Sequence, residues 1–140
     1  MPSQASGLFL RDMLSTYMSG KTVKAMLVGS GYTFDPDTHE FRSSVTSEVS
    51  GTGYTAGGIT LSGVTVLALD TANNRVKLDA NDADFGVVDL TGVTQIVVYV
   101  STGSAATDRI IGVHTFTAQA PSGVNFTYAW NVDGIGYVSY

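Results

Sequence analysis

The chain has 140 residues, 44% of them hydrophobic and only 14% charged, with no cysteine and a formal net charge of -5. That length suits one domain that buries a core without staples, and the missing cysteines remove disulfides, thiol catalysis and cysteine-bound zinc. Seven scattered lysines and arginines against twelve acids argue against a nonspecific grip on nucleic acid, which needs several cations beside phosphates.

At the start, SGLFLRDMLSTYMSG is too short and too polar for a membrane span and lacks the basic segment of an export signal. Within it Leu10, Met13, Leu14 and Tyr17 fall at helical spacings, which predicts a short amphipathic helix, or a tether that orders on docking, over residues 1–20. A single β domain is expected over residues 21–140. In KTVKAMLVGSGYTF, Val23, Ala25 and Leu27 share one face of a strand and Lys24, Met26 and Val28 the other. The polar run DPDTHEFRSSVTSEV reads as an excursion with one helical turn at most, opened by the turn signal Asp35-Pro36-Asp37.

From Ile59 onward the pattern is almost all β. ITLSGVTVLALD and RVKLDA, separated by TANN, predict a hairpin with Val76 and Leu78 inward and Arg75, Lys77 and Asp79 outward. TQIVVYVS is apolar on both faces, so it is a central strand or one covered by another subunit. In VNFTYAW, Val124, Phe126, Tyr128 and Trp130 alternate with Asn125, Thr127 and Ala129, the clearest period of two in the chain. About seven short strands with Gly, Pro and Asn punctuation predict an all-β fold, an antiparallel β-sandwich or jelly roll with a short N-terminal helix or arm.

Few residues offer chemistry. His39 and His114 stand apart, with no metal-ligand spacing around either, and no G-x-S-x-G elbow presents a serine. Asp79, Asn81, Asp82 and Asp84 in DANDADFG bring together the oxygens that calcium prefers, but the spacing is not that of an EF-hand loop, and a solvated acidic turn is the expected reading. The glycine-rich stretch EVSGTGYTAGG has no lysine, follows Glu48 and leads into a β pattern rather than a helix. A phosphate loop requires the opposite of each. No catalytic residue, metal or cofactor is therefore expected. Its glycines permit sharp turns and close backbone approach, and Tyr54 among them is either an interface anchor or a core residue.

The ordered pieces SEVSGTGYTAGG, NRVKLDA and the ending FTYAWNVDGIGYV resemble a family of small virion structural proteins of tailed bacteriophages and related prophages, over about residues 21 to 137. The resemblance implies a non-enzymatic virion component. Its most specific form is a capsid decoration or cement protein on the outer surface of the head, contacting the major capsid protein and copies of itself and bridging capsid subunits against internal DNA pressure. A tail or head-to-tail connector subunit and a carbohydrate-binding adhesin-like module are the alternatives. The residues expected to meet a neighbour, or else to pack within the chain, are Leu10, Met13, Leu14, Tyr17, Tyr32, Tyr54 and Tyr140.

Overall fold

Residues 3–140 are described by a computed structural model, in which helix α1 (Gly7–Met18) is followed by nine strands. They are β1 (Thr22–Val28), β2 (Ile59–Thr60), β3 (Thr65–Val66), β4 (Arg75–Asp79), β5 (Ala83–Asp89), β6 (Val93–Ser101), β7 (Arg109–Gln119), β8 (Ser122–Tyr128) and β9 (Gly136–Ser139). All pairings among the described residues are antiparallel, in sheets ordered β2-β1-β6-β7, β3-β4-β9 and β5-β8. The chain is thus an all-β domain with one short N-terminal helix.

The alternation read in β1 sorts its residues between two cores. Val23, Ala25 and Leu27 join the main core with Ile96, Val98, Leu78, Phe85, Val88 and Ile135, while Met26 and Val28 join a second cluster with Tyr32, Val97 and Tyr99. Strand β6 is apolar on both faces because it is central, paired with β1 on one side and β7 on the other, and buried above and below. The second face is covered by the chain's own excursion: Phe34 and Val45 pack there, and its single helical turn spans Arg42–Ser44.

The excursion is anchored by one fully buried carboxylate. Asp108 accepts from the Arg42 Nε at 2.7 Å, from the Thr102 amide at 2.6 Å and from the Thr102 hydroxyl at 2.9 Å. Arg42 in turn lies 5.1 Å from the Tyr99 ring centre, a cation over a π face. Burial acts to raise the Asp108 carboxyl, but the Thr102 amide, the guanidinium and the Thr102 hydroxyl outweigh it and hold it below the usual carboxylate range.

The long hairpin expected from ITLSGVTVLALD is divided. Ile59-Thr60 pairs with β1, whereas Thr65-Val66 pairs with β4, so one apolar run serves two sheets and nine strands replace the seven anticipated. The break lies at Ser62-Gly63, where Gly63 has φ 65°, a conformation glycine adopts without strain. The TANN turn does close a hairpin, with Asp70 accepting from the Asn73 amide and side chain and Asn74 at φ 53°.

Lys77 is not on a wet face. Its side chain is buried because the loop after Trp130 folds over that side of β4, and its ammonium reaches Asp70 at 2.9 Å, Asp133 at 3.6 Å and the Val132 carbonyl at 3.3 Å. Arg75 beside it pairs with Asp133 at 2.8 Å. In β8 the alternation places Phe126 and Tyr128, with Trp130 just beyond, on the main core; Val124, at the start of the same face, is exposed. A file of rings runs through the core: Tyr54–Phe85, Phe85–Phe126, Phe126–Phe116, Phe116–Tyr128 and Tyr128–Trp130 have centroids 5.1 to 6.4 Å apart. Each such pair contributes about 0.5–1.5 kcal/mol beyond its buried area.

Candidate interaction surface

The glycine-rich segment is an internal seam rather than a cradle. A Cβ at Gly51 or Gly53 would strike the carbonyl oxygens of Asp89 or Val87 on β5, and one at Gly58 would strike that of Ala25 on β1. Thr52 bridges Asp89 on β5, so the segment ties β5 to β1, and side chains at those positions would force the strands apart. Tyr54 turns inward. Its hydroxyl accepts from the buried Leu27 amide at 2.9 Å and donates to Glu48 Oε1 at 2.8 Å, which also accepts from the Gly57 amide at 2.6 Å. Burial first, and then the Glu48 carboxylate, push the phenol above its ordinary range against the pull of the Leu27 N–H, so it stays protonated.

Other groups singled out from the sequence are also engaged within the chain. Tyr32 is buried in the second core and meets His39 Nδ1 at 3.0 Å. His114 donates from Nε2 to the Ile135 carbonyl at 3.1 Å and lies against Tyr128 and Trp130. In the acidic turn, Asp79 accepts from the Ala80 amide, Asn81 donates to Ser62, and Asp84 accepts from the Gly86 amide and the Asn125 side chain. Among the described residues no three histidine or carboxylate side chains converge to hold a metal ion. Five of the seven cations, Arg11, Arg42, Arg75, Lys77 and Arg109, already face carboxylates.

Apart from Arg75 Nε, a buried donor without a hydrogen-bond partner among the described residues, what the fold leaves unsatisfied is apolar. Helix α1 starts at Ser6, whose hydroxyl accepts from the Phe9 amide at 3.4 Å, as an N-cap does, and it ends at Ser19 before Gly20 at φ 71°. Leu14 and Met18 pack on the main core and Leu10 is half-buried. Phe9, Met13 and Tyr17, spaced by four, form a second stripe on the helix that stands in solvent. Met13 and Tyr17 were expected there; Phe9 was not, although its spacing to Met13 was visible. Tyr17 also borders a cleft of about 210 Å³ between α1 and β9, lined by Leu14, Met18, Ile111, Tyr137 and Val138. Val138 is exposed as well, and the β4–β9 pairing sets it beside α1, whereas Tyr137 alternates to the other face of β9, its ring centre 4.1 Å from the Arg75 guanidinium. Tyr140 is half-buried, its ring against Gly7 and its amide donating to the Asn74 carbonyl at 2.9 Å.

No family model, curated protein or solved structure matches this chain. Among the described residues no helix is long and apolar enough to cross a membrane.

Proposed function

We propose that this protein is a non-enzymatic structural component of a bacteriophage virion, and most specifically a decoration or cement protein that sits on the outer surface of the head and bridges major capsid subunits. We read its sheets as an irregular β-sandwich, with the four-stranded sheet as one layer and the two smaller sheets together as the other. The virion assignment rests on the ordered sequence resemblance over residues 21 to 137. The observation that carries a binding rather than a catalytic role is the exposed apolar band of α1 and β9 on a frame in which Tyr54, Asp108, His114 and Lys77 are engaged within the chain.

Such a role needs no bond to be made or broken. A clamp that binds the assembled shell and not its separated subunits stabilises the shell by mass action. A surface poor in charge suits this, because burying neutral hydroxyls and small apolar groups costs less than burying ions.

Adding the purified chain to heads that lack it tests the reading. Bound copies in register with the capsid lattice, together with heads that resist heat better, are the expected result. Heads that bind none and gain no resistance overturn the decoration role, and density confined to one vertex or to the tail assigns the chain to the connector or tail instead.

A further inference from the structure

We infer that the face of α1 carrying Phe9, Met13 and Tyr17, flanked by Val138 of β9, packs against the same face of a second copy of this chain about a two-fold axis. This deepens the virion reading by naming the surface that joins copies, and it is tested without particles.

The patch is continuous. Tyr17 lines both the shallow depression that holds Phe9, Asp12, Met13 and Thr16 and the cleft that holds Val138. The four large side chains Phe9, Met13, Tyr17 and Val138 keep 43 to 62% of their surface exposed. With aromatic side chains of roughly 150–250 Å², the apolar area is on the order of 400 Å², within the range of the largest patch a monomer leaves bare. Two such faces supply about 800 Å², and the polar rim carries the contact toward the roughly 1,000 Å² of a specific interface.

The arrangement of the stripe selects the occupant. Phe9 and Tyr17 each lie four residues from Met13, about 6 Å along the axis at 1.5 Å per residue, so the order aromatic, methionine, aromatic reads the same in both directions. Two antiparallel helices crossing at Met13 therefore set Phe9 of each copy against Tyr17 of the other, with Met13 meeting Met13 on the axis. That is the self-complementarity an isologous contact requires. The rim carries both signs: Arg11 and Asp12 lie on the helix, and the Lys21 ammonium is 5.5 Å from the Tyr17 ring centre. A mixed rim satisfies a copy of itself, since each sign on one copy meets the other sign on its partner.

The test is the mass of the full chain by sedimentation velocity from about 1 to 100 μM, a range that brackets micromolar dissociation constants. A dimer is expected at the upper end. F9E and M13E are exposed changes that keep the wild-type circular dichroism and melting temperature, and each is expected to raise the dissociation constant at least about tenfold; V132E, on an exposed loop, leaves it unchanged. Because the chain has no cysteine, M13C provides an independent measurement: mild oxidation links it into a disulfide dimer, whereas V132C remains single. A chain that is monomeric throughout, a ring of three or more, or a dimer that persists in F9E and M13E overturns the inference. A monomer that still decorates heads would overturn it and leave the virion reading standing; a dimer that binds no heads would leave it standing and overturn the decoration role.

Discussion

Replacing Tyr54 by phenylalanine keeps the ring against Phe85 and removes one oxygen atom. Strand β2 covers only two residues of β1, pairing with Lys24 and Ala25, so beyond them no strand carbonyl faces the Leu27 amide. The Tyr54 hydroxyl takes that place at 2.9 Å and donates its own hydrogen bond to Glu48 at 2.8 Å. In Tyr54→Phe the Leu27 N–H, on a fully buried residue, has no acceptor, which costs about 1–3 kcal/mol. Glu48 loses one charge-assisted partner but keeps the Gly57 amide, so this second loss is smaller, about 1 kcal/mol. The sum is about 2–4 kcal/mol, a large share of the roughly 5–15 kcal/mol that holds a domain together. At about 4 °C per kcal/mol for a chain of this size the melting temperature falls by about 8–16 °C. Urea denaturation followed through the single tryptophan, Trp130, gives a lower midpoint with an unchanged slope. A loss below about 0.5 kcal/mol would refute the claim that the phenol is the amide's only acceptor.

Gly58→Ala combines φ 80° with a collision against the Ala25 carbonyl and is expected to cost more than about 3 kcal/mol, whereas Gly20→Ala, at φ 71° in open space, costs only about 1–2 kcal/mol; paired thermal melts check the difference. Asp108→Asn removes the charge opposite Arg42 and costs about 3 kcal/mol, read by urea denaturation at pH 7. The Asp108 carboxyl is held below its unfolded value, so its contribution is complete above about pH 4 and is lost as the pH falls through the lower folded value; in Asp108→Asn that part of the acid dependence disappears. Burial lowers the His114 imidazole against the opposing pull of its bond to the Ile135 carbonyl, so the folded state binds fewer protons than the unfolded. Stability is therefore full above about pH 6.5 and declines below it, and His114→Gln flattens the slope of stability between pH 7 and 5.

The alternation in β1 and β6 was enough to place both on buried surfaces, because a period of two sorts side chains to the two faces of a strand without reference to any partner. The helix was legible for the same local reason, through spacings of three and four, and the polar excursion through its turn residues. Which surface covers an apolar face is not a local property. β6 read equally as central or as buried by another subunit, and only the folding of Phe34 and Val45 back over Val97 and Tyr99 decided it. Lys77 read as wet because every second residue of an edge hairpin usually is; a loop more than fifty residues later in the chain brings Asp133 over it.

Of the candidate surface, Met13 and Tyr17 could be read from helical spacing, whereas Leu10 and Leu14 share that spacing and turn toward the molecule. The direction of a helix about its own axis is set by what its other face meets. EVSGTGYTAGG shows the same division. The missing lysine, the preceding Glu48 and the β pattern that follows argued from sequence against an anion cradle. That Gly51, Gly53 and Gly58 are spacers between β5 and β1, and that Tyr54 serves the Leu27 amide rather than a neighbour, depends on contacts across 25 to 40 residues of chain, which only the packed structure brings within hydrogen-bond reach.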